Sequence, residues 1–148
     1  MIKKVQMTPE EMRDHAMALA HAFKVVLDLR EDLPPDLAVA TWVTHPTIGE
    51  VRVVIAPSIT NDTSYAVVLH EMGHHLSALG CVRKDLNAKE PQPGCHARDR
   101  HRWFGYRLLE EEAAWEWAEH YSLCWTTGME QVKLLCFATY EIARREIR

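Results

Sequence analysis

The sequence contains no long apolar run and no cluster of basic residues. Its 148 residues carry a formal net charge of −4, and no stretch approaches the roughly 18 apolar residues of a membrane-spanning helix. We therefore expect neither a membrane anchor nor binding to a nucleic-acid backbone. The first nine residues lack the apolar stretch and cleavage site of a secretory signal, which predicts a cytoplasmic protein.

The sequence has no Cys-x-x-Cys pair, although it contains four cysteines, Cys81, Cys95, Cys124 and Cys136. Without an export signal the expected compartment is reducing, so we expect free thiols rather than disulfides. Cys124 and Cys136 fall on apolar helix faces, a position typical of core residues.

The composition is that of an ordinary globular protein, with 47% hydrophobic and 26% charged residues. We find neither an internal repeat nor a low-complexity tract. A chain of this length can bury one core without disulfide support. We therefore expect a single domain over residues 1–148.

Capping and turn residues divide the chain into helices and one hairpin. Thr8, Pro9 and Glu11 begin a first helix, which we expect to continue to about Arg30. Two β-prone runs separated by a short loop predict a small antiparallel sheet. The expected strands are 37–43 and 50–56. The later helices are expected at about 63–79 (ending before Gly80), 104–125 and 127–146, the last beginning with a capping box at Thr127. A long loop is expected at 81–101. This order predicts an α+β fold.

Residues 70–74 read His-Glu-Met-Gly-His, the pattern His-Glu-x-x-His. On a helix His70 and His74 lie one turn apart on one face, so both imidazoles can reach one zinc ion. Glu71 projects beside the metal rather than onto it, where it can serve as general base. The alternative is a chance occurrence, but the motif lies within a well-capped amphipathic helix, which favours a zinc site.

A catalytic zinc needs a third protein ligand, and the run Glu110-Glu111-Glu112 is the best source. Helical projection places Glu112 on the solvated face. Glu110 projects into the buried face and Glu111 onto its edge. Periodicity therefore leaves both Glu110 and Glu111 open as the third ligand.

The zinc motif, followed some forty residues later by Glu111-x-x-Ala114-x-x-Trp117-Ala118, resembles the pattern of ImmA/IrrE-type and related phage-encoded gluzincin metallopeptidases. The resemblance covers roughly residues 65–125, and Trp115 and Trp117 depart from the usual residues of that family. It implies a minimal zincin-like fold, one catalytic Zn²⁺ and Glu111 as the third ligand. It also implies cleavage of a protein or peptide substrate, such as a repressor of a mobile element.

Hydrolysis of a peptide bond also needs a donor that stabilises the oxyanion of the tetrahedral intermediate. The available side chains are His101, Tyr106, His120 and Tyr121. His120 projects toward the polar face. We take Tyr121 as the candidate catalytic residue.

Several neighbouring residues have more than one reading. Gly73 predicts close approach of the Glu111 helix to the metal helix, because glycine has no Cβ; simple tolerance of a glycine within the helix is the alternative. His75 projects away from the motif face and is expected to pack rather than bind metal. Four tryptophans around the third helix are expected in the core rather than in a substrate groove. A second zinc site at Cys81, Cys95 and His96 is an alternative that their spacing disfavours.

Two further hypotheses belong to other functional classes. In the first, the chain is a zinc-stabilised regulatory protein that controls a partner without cutting it. In the second, the motif is accidental and the chain is a helical adaptor that binds no stoichiometric zinc. The oligomeric state is left open by the sequence.

Overall fold

A computed structural model of the chain describes residues 6–77 and 97–146. Within these residues the fold is mixed α+β, with helices on a small sheet. The elements are α1 (Pro9–Ala22), β1 (Val25–Arg30), β2 (Val39–His45), β3 (Gly49–Pro57), α2 (Asp62–Leu76), α3 (Ala97–Tyr121) and α4 (Thr127–Arg145). The expected α+β class is confirmed.

Helix α1 begins where the sequence predicts but ends earlier. The Glu11 amide donates to Thr8 Oγ1 and the Thr8 amide donates to the Glu11 carboxylate, 3.2 Å in each case, which completes a capping box. The prediction that this helix continues to Arg30 is wrong. The chain leaves the helix after Ala22 and turns through Lys24, whose φ is 58°.

Residues 25–30 form strand β1, which the sequence analysis missed. β1 pairs in parallel with β3, and Val26 lies opposite Val53. β-Branched valines favour a strand here, but a parallel partner is distant in sequence and no glycine or proline marks the turn. The sheet is therefore mixed rather than antiparallel, with strand order β1-β3-β2.

The predicted hairpin is present as β2 and β3. These strands pair antiparallel, from Val39 opposite Ile55 to His45 opposite Gly49. Gly49 has a φ of 82°, a conformation that glycine adopts without steric strain. The hairpin thus agrees with its sequence signal to within a few residues.

Helix α2 is capped by Asn61, whose side chain accepts a hydrogen bond from the Ser64 amide at 2.9 Å. The helix ends at Leu76 with Ser77 as its C-cap, somewhat before the expected end. Its apolar face supplies the centre of the core, where Tyr65, Val68, Leu69 and Met72 are fully buried. The expected stop at Gly80 lies outside the described residues.

Helix α3 begins at Ala97 and ends at Tyr121, so it starts and ends several residues before the expected 104–125. Residues 97–101, expected in a loop, are helical. Residues 81–96 of that expected loop, which include Cys81, Cys95 and His96, lie outside the described residues.

Helix α4 is capped one residue earlier than expected, by Thr126 rather than Thr127. The Met129 amide donates to Thr126 Oγ1 at 3.2 Å, and that hydroxyl donates in turn to the Asp62 carboxylate. The contact fixes the start of α4 against the start of α2. No described helix is both long and apolar enough to span a lipid bilayer.

Candidate metal centre

The two histidines of the motif lie on one face of α2. Their ring centroids are 4.5 Å apart, as expected for residues one helical turn apart. His70 is buried and His74 is half-buried. The helix therefore presents two imidazoles side by side, with one of them shielded from water.

Glu111 reaches both imidazoles from α3. Its Oε2 lies 2.7 Å from His70 Nε2, and its Oε1 lies 3.2 Å from His74 Nε2. Only 5% of the residue surface is exposed. A carboxylate buried to this extent requires charged or hydrogen-bonding partners, and here the two histidines provide them.

Gly73 allows α3 to come this close. A Cβ built at Gly73 would lie 2.9 Å from the carbonyl carbon and from the Cα of Ala114, and it would overlap the Ala114 oxygen. Any side chain at this position would push α3 away from α2. The close approach predicted from the sequence is therefore present.

Glu71 lies beside the histidine pair and is half-buried. Its Oε1 is 3.5 Å from His70 Nδ1, so it faces the ring nitrogen that Glu111 does not contact. Ligand atoms of His70, Glu71 and His74 all lie within 4.8 Å of one another. The Glu71 carboxylate is thus near the candidate site, and Glu111 contacts the other nitrogen of the His70 ring.

The charges of the cluster favour an imidazolium–carboxylate pair when no metal is bound. Burial disfavours the charged form of His70, but hydrogen bonds and attraction from Glu111 and Glu71 outweigh it and raise the pKa of His70 to about 9. Burial likewise opposes charge on Glu111, yet the two histidines hold its pKa well below the ordinary value. The protonated ring of His70 therefore supplies a positive charge beside the Glu111 carboxylate.

Helix α4 adds two side chains that the sequence analysis did not place here. Cys136 Sγ donates to Glu111 Oε2 at 3.2 Å, and the Tyr140 hydroxyl donates to Glu111 Oε1 at 3.1 Å. Burial raises the pKa of Cys136 to about 12. Burial and the Glu111 charge raise the pKa of Tyr140, so both groups are protonated donors near neutral pH.

A helical projection of α4 contains the signal that would have found Tyr140. Cys136 and Tyr140 are four residues apart, so they lie on one face of the helix. Met129, Val132 and Phe137 also pack toward the core. Cys136 was expected in the core, and it does pack there, but its sulfur also contacts the site.

Trp115 forms the wall behind His70. The two rings stack with centroids 4.2 Å apart and planes 13° apart. The indole N–H is buried and makes no hydrogen bond within the part of the chain that the structure describes. It lies near Cys136, where it opposes the effect of burial on the pKa of the thiol.

Glu110 and Glu112, the two neighbours of Glu111, do not contact the histidines of the motif. Glu110 forms an ion pair with Arg107 at 2.9 Å, one turn away on α3. Glu112 is exposed, as expected from the helical projection. Of the two residues left open by periodicity, Glu111 is the one that contacts both imidazoles.

Tyr121 does not lie in the cluster, in contrast to the expectation for a catalytic donor. Its ring stacks on Trp117 and meets the edge of Phe23. It follows Glu111 by ten positions, a rise of about 15 Å along α3. Tyr140, which contacts Glu111 directly, is the tyrosine at the site.

The remaining candidates from the sequence are exposed or packed. His101, Tyr106 and His120 are exposed on α3. His75 is buried, its Nε2 lies 3.1 Å from the Val53 oxygen, and its ring meets the edge of Trp42. His75 is thus a packed residue, as expected. Trp115, Trp117 and Trp125 are core residues, as expected, whereas Trp103 is only half-buried.

The donor set suits a zinc ion. Among the described residues, two groups have ligand atoms within 4.8 Å of one another: His70, Glu71 and His74, and His70, Glu111 and Cys136. Imidazole nitrogen, carboxylate oxygen and thiolate sulfur are the three protein ligands that zinc uses. His70 belongs to both groups, and Glu111 contacts the Nε2 atoms of His70 and His74, so these three side chains offer the ligands of one zinc site.

Comparison of the chain with models of protein families, with characterised proteins and with solved structures yields no match.

Proposed function

We propose that this chain is a zinc-dependent peptidase in which His70, His74 and Glu111 hold the ion and Glu71 is the general base. The observation that carries the proposal is the position of Glu111. Its carboxylate comes from 41 residues away in sequence and lies buried against both imidazoles of the His-Glu-x-x-His motif. A chance motif on a surface helix would have no reason to bury such a carboxylate against it.

His70, His74 and Glu111 would be three protein ligands, the number typical of catalytic rather than structural zinc sites. Bound zinc would supply a Lewis acid and an acidified water. Glu71 accepts the proton of the attacking water and delivers it to the leaving amine. Trp115, stacked on His70, and Tyr140, hydrogen-bonded to Glu111, hold two of the ligands in orientation.

The ion pair between His70 and Glu111 is consistent with metal binding by these two residues. A histidine must lose its proton before it can bind a metal, so zinc binding releases a proton. The positive charge that protonated His70 supplies beside Glu111 would then come from the dication, with the neutral ring as one of its ligands. The substrate we propose is a protein or peptide, and the proposed location is the reducing cytoplasm.

The metal ligands can be tested by zinc analysis of purified variants. Replacing His70, His74 or Glu111 by alanine should remove or strongly weaken stoichiometric zinc binding. Glu110→Ala is the matched control, because Glu110 is the neighbouring carboxylate and pairs with Arg107; it should keep its zinc. Retention of zinc by the histidine variants would contradict the proposed site.

The catalytic role of Glu71 is tested separately from metal binding. We expect Glu71→Gln to retain zinc while hydrolysis of denatured casein or of a peptide library falls by about 10²- to 10⁴-fold. Glu112→Gln, an exposed change on α3, is the control and should have no effect. Equal hydrolysis by wild type and Glu71→Gln would exclude Glu71 as the base.

A second candidate function is supported by Cys136. A fourth protein ligand is the mark of structural zinc sites, and the Cys136 sulfur is close enough to be that ligand. The chain would then be a zinc-stabilised regulator that binds a partner without cutting it. In that case the Glu71→Gln variant would keep full biological activity.

A further inference from the structure

The Cys136 thiol lies against the candidate metal site rather than at a distance from it. Its sulfur is 3.2 Å from Glu111 Oε2, the same oxygen that contacts His70 Nε2 at 2.7 Å. Sulfur, oxygen and nitrogen therefore meet around one point.

These distances suit shared ligation of one ion. Zinc bonds of about 2.3 Å to sulfur and about 2.0 Å to oxygen, at a tetrahedral angle, place the two ligand atoms about 3.5 Å apart. The distance of 3.2 Å between Cys136 Sγ and Glu111 Oε2 differs from this value by a few tenths of an ångström. Small side-chain movements would therefore bring Cys136 and Glu111 onto the same ion.

The indole N–H of Trp115 is a second, independent observation that points to a ligand at this position. The group is buried and has no hydrogen-bond partner among the residues that the structure describes, and it acts to lower the pKa of the Cys136 thiol, as a donor that faces the sulfur does. A neutral thiol is a weak acceptor, whereas a metal-bound thiolate is an anion. Ligation of Cys136 would give this buried donor the acceptor it lacks.

Helix α4 is fixed in the position that this role requires. Lys133 Nζ lies 3.2 Å from Glu119 Oε2 on α3, and the Thr126 hydroxyl binds Asp62 on α2. Tyr140, one turn beyond Cys136, binds the other Glu111 oxygen. The thiol is therefore held at the site by contacts on both sides of it along the helix.

We propose that Cys136 is a fourth zinc ligand that closes the site in a resting state and must leave before a substrate can bind. This inference rests on the proposed zinc site and concerns its regulation. On ligation the thiol gives its proton to solvent and the sulfur replaces a water on the ion. On release a water returns and the thiolate takes up a proton, so no oxidant or reductant is needed.

Cobalt substitution tests the proposal without measuring activity. Wild-type protein loaded with one Co²⁺ should show a near-ultraviolet thiolate-to-cobalt charge-transfer band. Cys136→Ser should still bind one Co²⁺ but lack the band. The double variant Cys81→Ser/Cys95→Ser is the control and should keep it, because the proposed thiolate is Cys136.

Alkylation of the wild-type protein gives a second measurement that needs no variant to fold. Zinc should slow the reaction of Cys136 with iodoacetamide at least tenfold, read by peptide mass spectrometry, and a chelator should restore it. Buried Cys124 is the internal control and should react at the same rate with and without zinc.

The outcomes separate this inference from the proposed function. One bound cobalt without a thiolate band in the wild type, or a band that survives Cys136→Ser, overturns the role of Cys136 and leaves the zinc peptidase standing. Absence of metal binding in the wild type overturns both. With Cys136→Ser folded and metal-loaded, we expect peptide hydrolysis to rise severalfold over wild type.

Discussion

Four donors converge on the two oxygens of Glu111. His70 and Cys136 contact Oε2, and His74 and Tyr140 contact Oε1. Such a set of donors fixes the carboxylate plane in the absence of metal. When a metal replaces the histidine protons, Tyr140 is the donor best placed to keep Glu111 in that orientation.

We expect Tyr140→Phe to weaken zinc binding by about 10- to 100-fold, the usual effect of removing a hydrogen bond to a metal ligand. The ring and its packing are kept, so the fold should be unaffected. Competition with a chromogenic chelator measures the affinity. Tyr106→Phe, on the exposed side of α3, is the control, and equal affinities of the two variants would show that Tyr140 does not position Glu111.

The choice between Glu110 and Glu111 shows why helical periodicity alone does not identify the third ligand. Neighbouring residues project about 100° apart on a helix, so both could reach a buried face. The outcome depends on how α3 is rotated about its axis against α2. That rotation is set by a tertiary contact, the packing of the Ala114 backbone against Gly73. The sequence of α3 alone does not specify this contact.

At the scale of elements, local signals predicted local structure. The Thr8 capping box, the hairpin and the one-turn spacing of His70 and His74 depend on residues close in sequence, and each is present in the structure. Strand β1 depends on pairing with β3 across more than twenty residues. The placement of Cys136 depends on how α4 docks, and the sequence analysis therefore missed both.

The packing of α3 on α2 leads to a test with a control from the same chain. Gly73→Ala places a methyl group against the Ala114 backbone, so we expect a loss of about 1–3 kcal/mol in the free energy of unfolding. Gly105→Ala, also in a helix, meets nothing within 4 Å and should stabilise by about 0.5–1 kcal/mol. Urea unfolding of both variants measures the difference.

A gain or no change for Gly73→Ala would show that α3 does not pack closely on this residue. Zinc binding should follow stability in the same direction. Separation of the helices would move Glu111 away from His70 and His74, so we expect Gly73→Ala to bind zinc more weakly and Gly105→Ala to bind it as wild type does.

For the molecule as a whole, the cluster makes the stability of the metal-free protein depend on pH. The pKa of His70 is raised from 6.5 to about 9, so its contribution is full below about pH 6.5 and is lost as pH rises through 9. Glu111 has a lowered pKa, so its contribution is present above about pH 4.5 and is lost in acid. The two contributions overlap between these limits.

We therefore expect the free energy of unfolding, measured with chelator present, to fall by on the order of 3 kcal/mol between pH 6.5 and 9.5. His75 acts on the acid side, because burial lowers its pKa and its neutral form is lost on acidification. His70→Gln should flatten the alkaline decline. His120→Gln, an exposed change, should leave it intact, and an unchanged slope in His70→Gln would contradict the assignment.

The order of these residues along the chain also sets the order in which they emerge during translation. His70 precedes Glu111 by 41 positions, which a ribosome covers in about 2–8 s at roughly 5–20 residues per second. Cys136 follows 25 positions later. The two imidazoles are thus synthesised seconds before the carboxylate, and the thiol comes last, so the complete set of candidate ligands exists only when α4 has been made.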